Sequence, residues 1–512
     1  MKNIMKSRII LCTMAFTLVF LSCDNDLLNK TNPNNLTTDS YYKTDEDLAK
    51  ALNGVYALLQ SNGLGGREWF FLQDLRSDDV QTGGGQLETP RNQILIGSHA
   101  PSNPVLSSVF QNLYRLIHRA NALITNAPTA TTKDQSLKDR YVAEARVLRA
   151  WAYHQLLEFW GGVPLYTTYA IALDETKPRA SGQEVSDFLI SELSAVTASL
   201  PESYSGNDLG RVTKGAAHTL LAKIYLAKGD YTNAKQQLEA VKTIGYNLTD
   251  NYFDNFTEEN EYNEESIWEI SYTSSGNYNW DGDGNDYGPN ESWIRSQEYS
   301  AIGWRNLIPS DGLLAEFENN DPRLNDNFYF TGDSYGDPAQ LKTLTDGDQR
   351  GNNVIYQGVP QKVSWKKYSV MYKLDPGGYY DKIGINYRMY RYSDVLLMLA
   401  ECENEVGSPA LAIDYLNEVR NRPSVNMPDY PTAEYPVNSK SEIFRAIVHE
   451  RRVELAGEEV RNFDILRWRK NRQLASEPIS YFQANKYEYL PIPQDEINNN
   501  PLVPPSSQNP GY

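Results

Sequence analysis

The sequence predicts a mainly α-helical single body that carries one irregular, aromatic-rich layer. Three observations predict it. Apolar residues recur at helical spacing through much of the first 245 positions, two distant segments share one helix-turn-helix pattern, and positions 245 to 390 turn to Gly, Asn, Asp and aromatic residues.

The N-terminus comes first. Lys2, Lys6 and Arg8 precede a mostly apolar run, Ile9 to Leu21, which falls short of the roughly 20 residues a membrane span needs. This is the pattern of a signal peptide over 1–22. Cleavage after Ser22 puts Cys23 at the new N-terminus, the bacterial lipoprotein arrangement in which the thiol is acylated, although Phe20 stands where an aliphatic residue is commonest; plain secretion with an ordinary Cys23 is the alternative. Residues 23–43, polar and Asn-rich, read as a lipidated tether. Cys12 leaves with the signal and Cys23 is blocked, so Cys402 is the one free thiol expected in the mature chain. Inside "VLLMLAECENEVG" it reads as a buried small side chain.

The body is expected in two parts of one unit, 44–245 and 246–512. "TDED" at 44–47 supplies a capping box for a helix whose Leu48, Leu52, Val55, Tyr56 and Leu59 share a face. Phe110, Leu113, Tyr114, Ile117 and Ile124 define a second helix, and Tyr141, Ala145, Leu148, Ala152, Leu156 and Phe159 a third that stops at Gly161. A fourth, with Val185, Phe188, Leu189, Leu193 and Val196, opens at "SGQE" and is stopped at Pro201. The segments 221–241 and 399–419 align Leu221 with Leu399, Ala222 with Ala400, Gly229 with Gly407, Ala234 with Ala412, Leu238 with Leu416 and Val241 with Val419. Small alanines where two helices approach and a glycine at the turn resemble a tetratricopeptide unit, which must stack on other helices to bury its face.

In the irregular layer, Trp280, Trp293, Tyr278 and Tyr287 lie among Asp, Asn and Gly. Loops run over the surface, and an aromatic face with a polar rim suits the C–H face and hydroxyl rim of a sugar ring. Trp304 and Trp365, in more apolar contexts, read as packing residues. "NWDGDGNDYGPNE" partly matches a calcium loop through Asn279, Asp281 and Asp283, with Gly284 at the turn; the closing glutamate fails, because Asn290 takes the twelfth place. Asp281 and Asp283 are therefore candidate calcium ligands, against a solvated Asp-Gly turn.

A formal charge of −18, more negative still without the three signal cations, argues against nucleic acid as a partner. Catalytic motifs are scarce. "HERRV" at 449–453 has Val453 where a zinc protease needs its second histidine, no GxSxG or Walker-type GK occurs, and the five histidines are scattered. Paired glycosidase carboxylates stay open, because their separation is spatial.

"EARVLRAWAYHQLLEFWGGVPL" (144–165), "FENNDPRL" (317–324), "YRMYRYSDVLLMLAE" (387–401), "HERRVELAGEEVRNFDILRW" (449–468) and the ending "YLPIPQDEINNNPLVPPSSQNPGY" (489–512) resemble, in order, the SusD/RagB family of outer-membrane lipoproteins of Bacteroidetes. The resemblance implies a SusD-like helical body with stacked tetratricopeptide-like pairs and a loop-rich ligand face, lipid-anchored on the cell surface. It also implies a non-catalytic protein that captures oligosaccharides, or in some members peptides, and passes them to a SusC-like TonB-dependent transporter. In regions corresponding to the family's binding face, the expected contacts are Trp280, Trp293 and Tyr287 for stacking and Asp78, Asp79, Gln81 and Asn290 for hydroxyl groups. Asp78 and Asp79 read equally well as helix caps. A peptide-import component of the same fold and a surface glycosidase are the rival readings.

Overall fold

The computed structural model describes residues 41–169, 175–279, 289–374 and 382–512. Its helices of nine residues or more are α1 (Asp45–Tyr56), α2 (Arg67–Leu75), α3 (Pro104–Asn126), α4 (Gln135–Trp160), α5 (Gly182–Val196), α6 (Lys214–Ala227), α7 (Tyr231–Ile244), α8 (Tyr392–Val406), α9 (Pro409–Arg420), α10 (Lys440–Glu454) and α11 (Arg461–Lys470). The expected caps form. Thr44 and Asp47 close one capping box and Ser181 and Glu184 another, so each side-chain oxygen accepts from a backbone N–H that the first turn would leave unpaired. The fourth helix ends at Val196 rather than running to Pro201, and a short 3₁₀ turn over Thr197–Ser199 fills the gap.

Both helix pairs appear as predicted. α6 packs on α7 and α8 on α9, and the pairs meet each other through α7 and α8. Ala222, Ala400, Ala234 and Ala412 are all fully buried, which lets the backbones approach. Polar clamps cross the junction: Lys235 pairs with Glu403 at 2.6 Å, and the Tyr415 hydroxyl joins Lys242 and Glu239. On the other flank α3, α4 and α5 pack in sequence, with Trp151, Phe159 and Trp160 fully buried on α4. Cys402 is buried on α8 and free, as expected, and burial pushes its thiol pKa up.

The irregular layer is built on short ladders. Five two-stranded antiparallel ladders occur among the described residues. Two of them pin the layer to the helices: Val80–Thr82 against Leu307–Pro309, and Ser266–Ile270 against Tyr387–Arg391, the strand that leads into α8. The C-terminal segment then seals the end of α4. Leu490 N–H donates to Phe159 O, Trp160 Nε1 donates to Pro491 O, and Asn509 Nδ2 donates to the Trp160 and Leu490 carbonyls. No helix among the described residues is long and apolar enough to cross a membrane.

Candidate ligand-binding face

The segment Thr82–Gln86 turns at the edge of the Val80–Thr82 ladder and lies directly on the backbone of 304–306. Gly83 N–H donates to Asn306 O at 2.9 Å, and Gln86 Nε2 donates to Arg305 O at 3.0 Å. A Cβ on Gly83 would meet Arg305 O at 1.5 Å, so this approach requires glycine. Asn352 closes the other side, its N–H donating to Gly83 O and its side chain to Thr82 O.

Beside this turn stands Arg67, at the start of α2. Its guanidinium donates to both Glu88 carboxylate oxygens, at 2.9 and 3.1 Å, and to the buried Glu298. Two carboxylates thus fix the plane of the guanidinium, whose Cζ lies 5.7 Å from the ring centre of Trp304. Burial opposes the charge on Arg67, but Glu298 outweighs it and the pKa is raised. Trp304 is half-buried, and so is Tyr278, whose hydroxyl donates to Asn62 at 3.0 Å. Burial, then the charge of Glu298, raises the pKa of that phenol, keeping it a neutral donor. A half-buried indole against a fixed guanidinium, with Glu88 beside it and Gln86 and Asn352 on the neighbouring turn, gives an apolar surface with a polar rim.

The expected site residues divide. Trp280, Tyr287, Asp281 and Asp283, like Cys23, lie outside the described residues. The base of their loop belongs to this face: Asn279 N–H donates to Asn290 Oδ1, and Thr273 N–H to Glu291 O. Trp293 corrects the expectation. At 1% exposure it is core, stacked on Tyr272 with centroids 5.5 Å apart, and its Nε1 donates to Gly65 O. Trp304, read as a packing residue, packs against Arg67 but is half-buried, leaving part of its indole accessible at this face. Their immediate sequence contexts misled, because the antiparallel bridge of Trp293 with Ile383 turns that ring inward.

The polar set is also corrected. Asp78 pairs with Arg461 and Arg452, and Asp79 with Arg452. Neither caps a helix. Burial alone would raise both; Arg461 reverses it for Asp78, which is lowered, whereas Asp79 stays raised to about 6. Gln81 Nε2 donates to Asp311, and the buried Asn290 holds Asn62 and Asn279. Asp79 and Asn290 are buried and Asp78 and Gln81 half-buried, and all four spend polar atoms on partners within the protein. Sequence reasoning passed over Arg67 and Glu88, which lie on separate segments that only the fold brings together.

Comparisons with known proteins agree with this architecture. A family model described as "SusD family" matches residues 264–512, and one described as "Starch-binding associating with outer membrane" matches residues 26–226. SusD-like protein P25 of Formosa agariphila is 25% identical over 510 residues, covering 93% of this chain and 94% of that one. A SusD-like protein of Bacteroides ovatus is 25% identical over 528 residues, covering 97% and 88%. Among solved structures, a SusD-like protein from Bacteroides fragilis superposes with a TM-score of 0.75 at 23% identity, covering 93% of this chain and 98% of that one. A laminarin-binding SusD-like protein superposes with a TM-score of 0.72 at 25% identity, covering 92% and 100%. With two family models matching its halves in order and relatives aligning nearly end to end, this chain belongs to the SusD family.

Proposed function

We propose that this protein is a lipid-anchored receptor of the outer-membrane surface that binds oligosaccharides on the face around Trp304 and Arg67, without cleaving them, and passes them to a SusC-like TonB-dependent transporter. The observation that carries the ligand class is the half-buried indole of Trp304 against a guanidinium fixed by Glu88 and Glu298. The family supports it, since one structural relative is a laminarin-binding SusD-like protein. Stacking with a few hydroxyl contacts corresponds to affinities of micromolar to millimolar, roughly 4 to 8 kcal/mol, which suits a receptor that must release its cargo.

Affinity electrophoresis in gels containing laminarin, starch, xylan or mannan tests this reading. The parent is retarded by at least one polysaccharide, and Trp304→Ala migrates as in an empty gel; equal retardation of both proteins removes the face from consideration. Oligosaccharides recovered after incubation keep their chain length, whereas shortening would favour the glycosidase. Asp281 and Asp283 remain candidate calcium ligands, tested by calorimetric titration with CaCl₂ before and after Asp281→Asn.

A further inference from the structure

Away from the loop layer, a cavity of about 420 Å³ opens among α4, α5, α6, α11 and the C-terminal segment. It shares no lining residue with the face described above. Its volume lies in the range of small-ligand pockets. One wall is Tyr489, whose ring lies flat over the backbone of Gly161: a Cβ there would sit 3.2–3.3 Å from ring atoms Cζ, Cε1 and Cε2. One ring face is thus set against backbone while the residue remains 37% exposed.

The polar lining leaves two buried atoms unused. Ser186 and His154 are buried, at 4% and 6% exposure, yet Ser186 Oγ and His154 Nδ1 have no hydrogen-bond partner. A buried polar atom without a partner is destabilising, so a cavity lined by two such atoms is one that solvent or a ligand completes. Glu158, on the same wall, engages Lys470 and Arg467 only through longer-range charge, and burial, partly offset by these cations, raises it to about 7. Burial and then Lys223 lower His154 to about 3, so its imidazole is neutral.

Charge selects among ligand classes. The guanidinium groups in the lining are already committed, Arg467 to Glu401 and Asp464 and Arg469 to Glu477. Lys228 pairs with Asp187 at 3.7 Å and donates to Gln183, so Lys470 is left against Glu158 and Glu488, a balance that favours no anion. The walls are mainly helical and present no strand edge for a peptide. A neutral polyhydroxylated ring matches what remains: an aromatic face, a carboxylate, a hydroxyl and a neutral imidazole.

We propose that this cavity is a second carbohydrate subsite for one or two neutral pyranose rings, with Tyr489 as the stacking wall and Glu158, Ser186 and His154 as partners for ring hydroxyls. The proposal goes beyond the loop-face reading and stands or falls separately from it.

Saturation-transfer difference NMR of the mature chain with maltose, cellobiose and laminaribiose tests it. In a Trp304→Ala background at least one disaccharide still gives a signal, and adding Tyr489→Ala or the isosteric Glu158→Gln weakens that binding about tenfold, the loss of one good contact. Thermal melts accompany each variant, and Glu158→Gln carries the test if Tyr489→Ala does not fold. The proposal is overturned if no disaccharide binds in the Trp304→Ala background, or if both added substitutions leave binding unchanged. Loss of polysaccharide retardation on Trp304→Ala alone, with Tyr489→Ala indistinguishable from the parent, would leave the loop face standing and remove the cavity.

Discussion

Glu454 sits where three buried guanidinium groups converge: Arg391 at 2.7 Å, Arg422 at 2.9 Å and Arg323 at 3.2 Å. Burial would raise its carboxyl, but those three cations overcome burial and hold it at about 2. Removing it strands buried charge, so Glu454→Ala is expected to cost about 3–5 kcal/mol in urea denaturation. Disrupting the exposed Lys50–Glu46 pair should cost less than about 1 kcal/mol. His449 makes the opposite pH statement. Its burial disfavours charge, yet hydrogen bonds to Glu316 and Glu318 raise it to about 9. A raised pKa contributes stability that is full below the unfolded value near 6.5 and is lost as pH rises through 9. The melting-temperature difference between parent and His449→Gln should therefore shrink from pH 6 to pH 9.5; a constant difference would show that the imidazole is uncharged. Glu318, His449 and Glu450 are spaced as metal ligands would be, but Arg420 Nη1 already sits 2.6 Å from Glu318 and 2.5 Å from Glu450. The "HERRV" phrase that fails as a zinc motif is thus a charge hub, and nothing in its linear spacing showed which acids, from Asp78 to Asp464, would surround it.

The two helix pairs show how far a repeat can be read. Their period, small residues and turns were legible, because helical spacing and close approach constrain the local sequence directly. The two glycines nevertheless serve different ends. Gly229 adopts φ +73°, a backbone only glycine takes freely, whereas Gly407, at φ −130°, is excluded from carrying a side chain by Glu403 Oε2, 1.8 Å from where its Cβ would lie. Gly229→Ala should cost about 1 kcal/mol by backbone strain. Gly407→Ala should push Glu403 off Lys235 and loosen the junction between the pairs, read as faster amide exchange in α7 and α8 with slower exchange retained in α3 and α4. Equal protection across all four helices in Gly407→Ala would contradict that assignment. In the loop layer legibility fails for the reverse reason: whether Trp293 or Trp304 faces outward depends on which remote strand each segment meets.

At the scale of the molecule, the phrases that carried the family resemblance prove to be the ones that touch. "FENNDPRL" supplies Asp321 and Arg323, "YRMYRYSD" supplies Arg391, and "HERRVELAGEE" supplies Glu450, Glu454 and Glu458, all within one buried ionic network. The ending of the chain likewise closes on "EFWGG" through Phe159 and Trp160. Replacing Cys23 by Ala should abolish incorporation of labelled palmitate and move the protein from the membrane fraction to the medium; continued labelling would place the lipid elsewhere.

The sequence by itself determined the helical class, the caps, the paired units, the burial of Cys402 and the family, because each rests on local periodicity or on phrases read in order. Only the tertiary structure decided which tryptophan stays buried, that Asp78 and Asp79 pair with arginines, and that Glu158 and Ser186 line a cavity. Those outcomes depend on partners up to several hundred residues away, and burial and charge pairing are properties of the assembled neighbourhood that no single segment encodes.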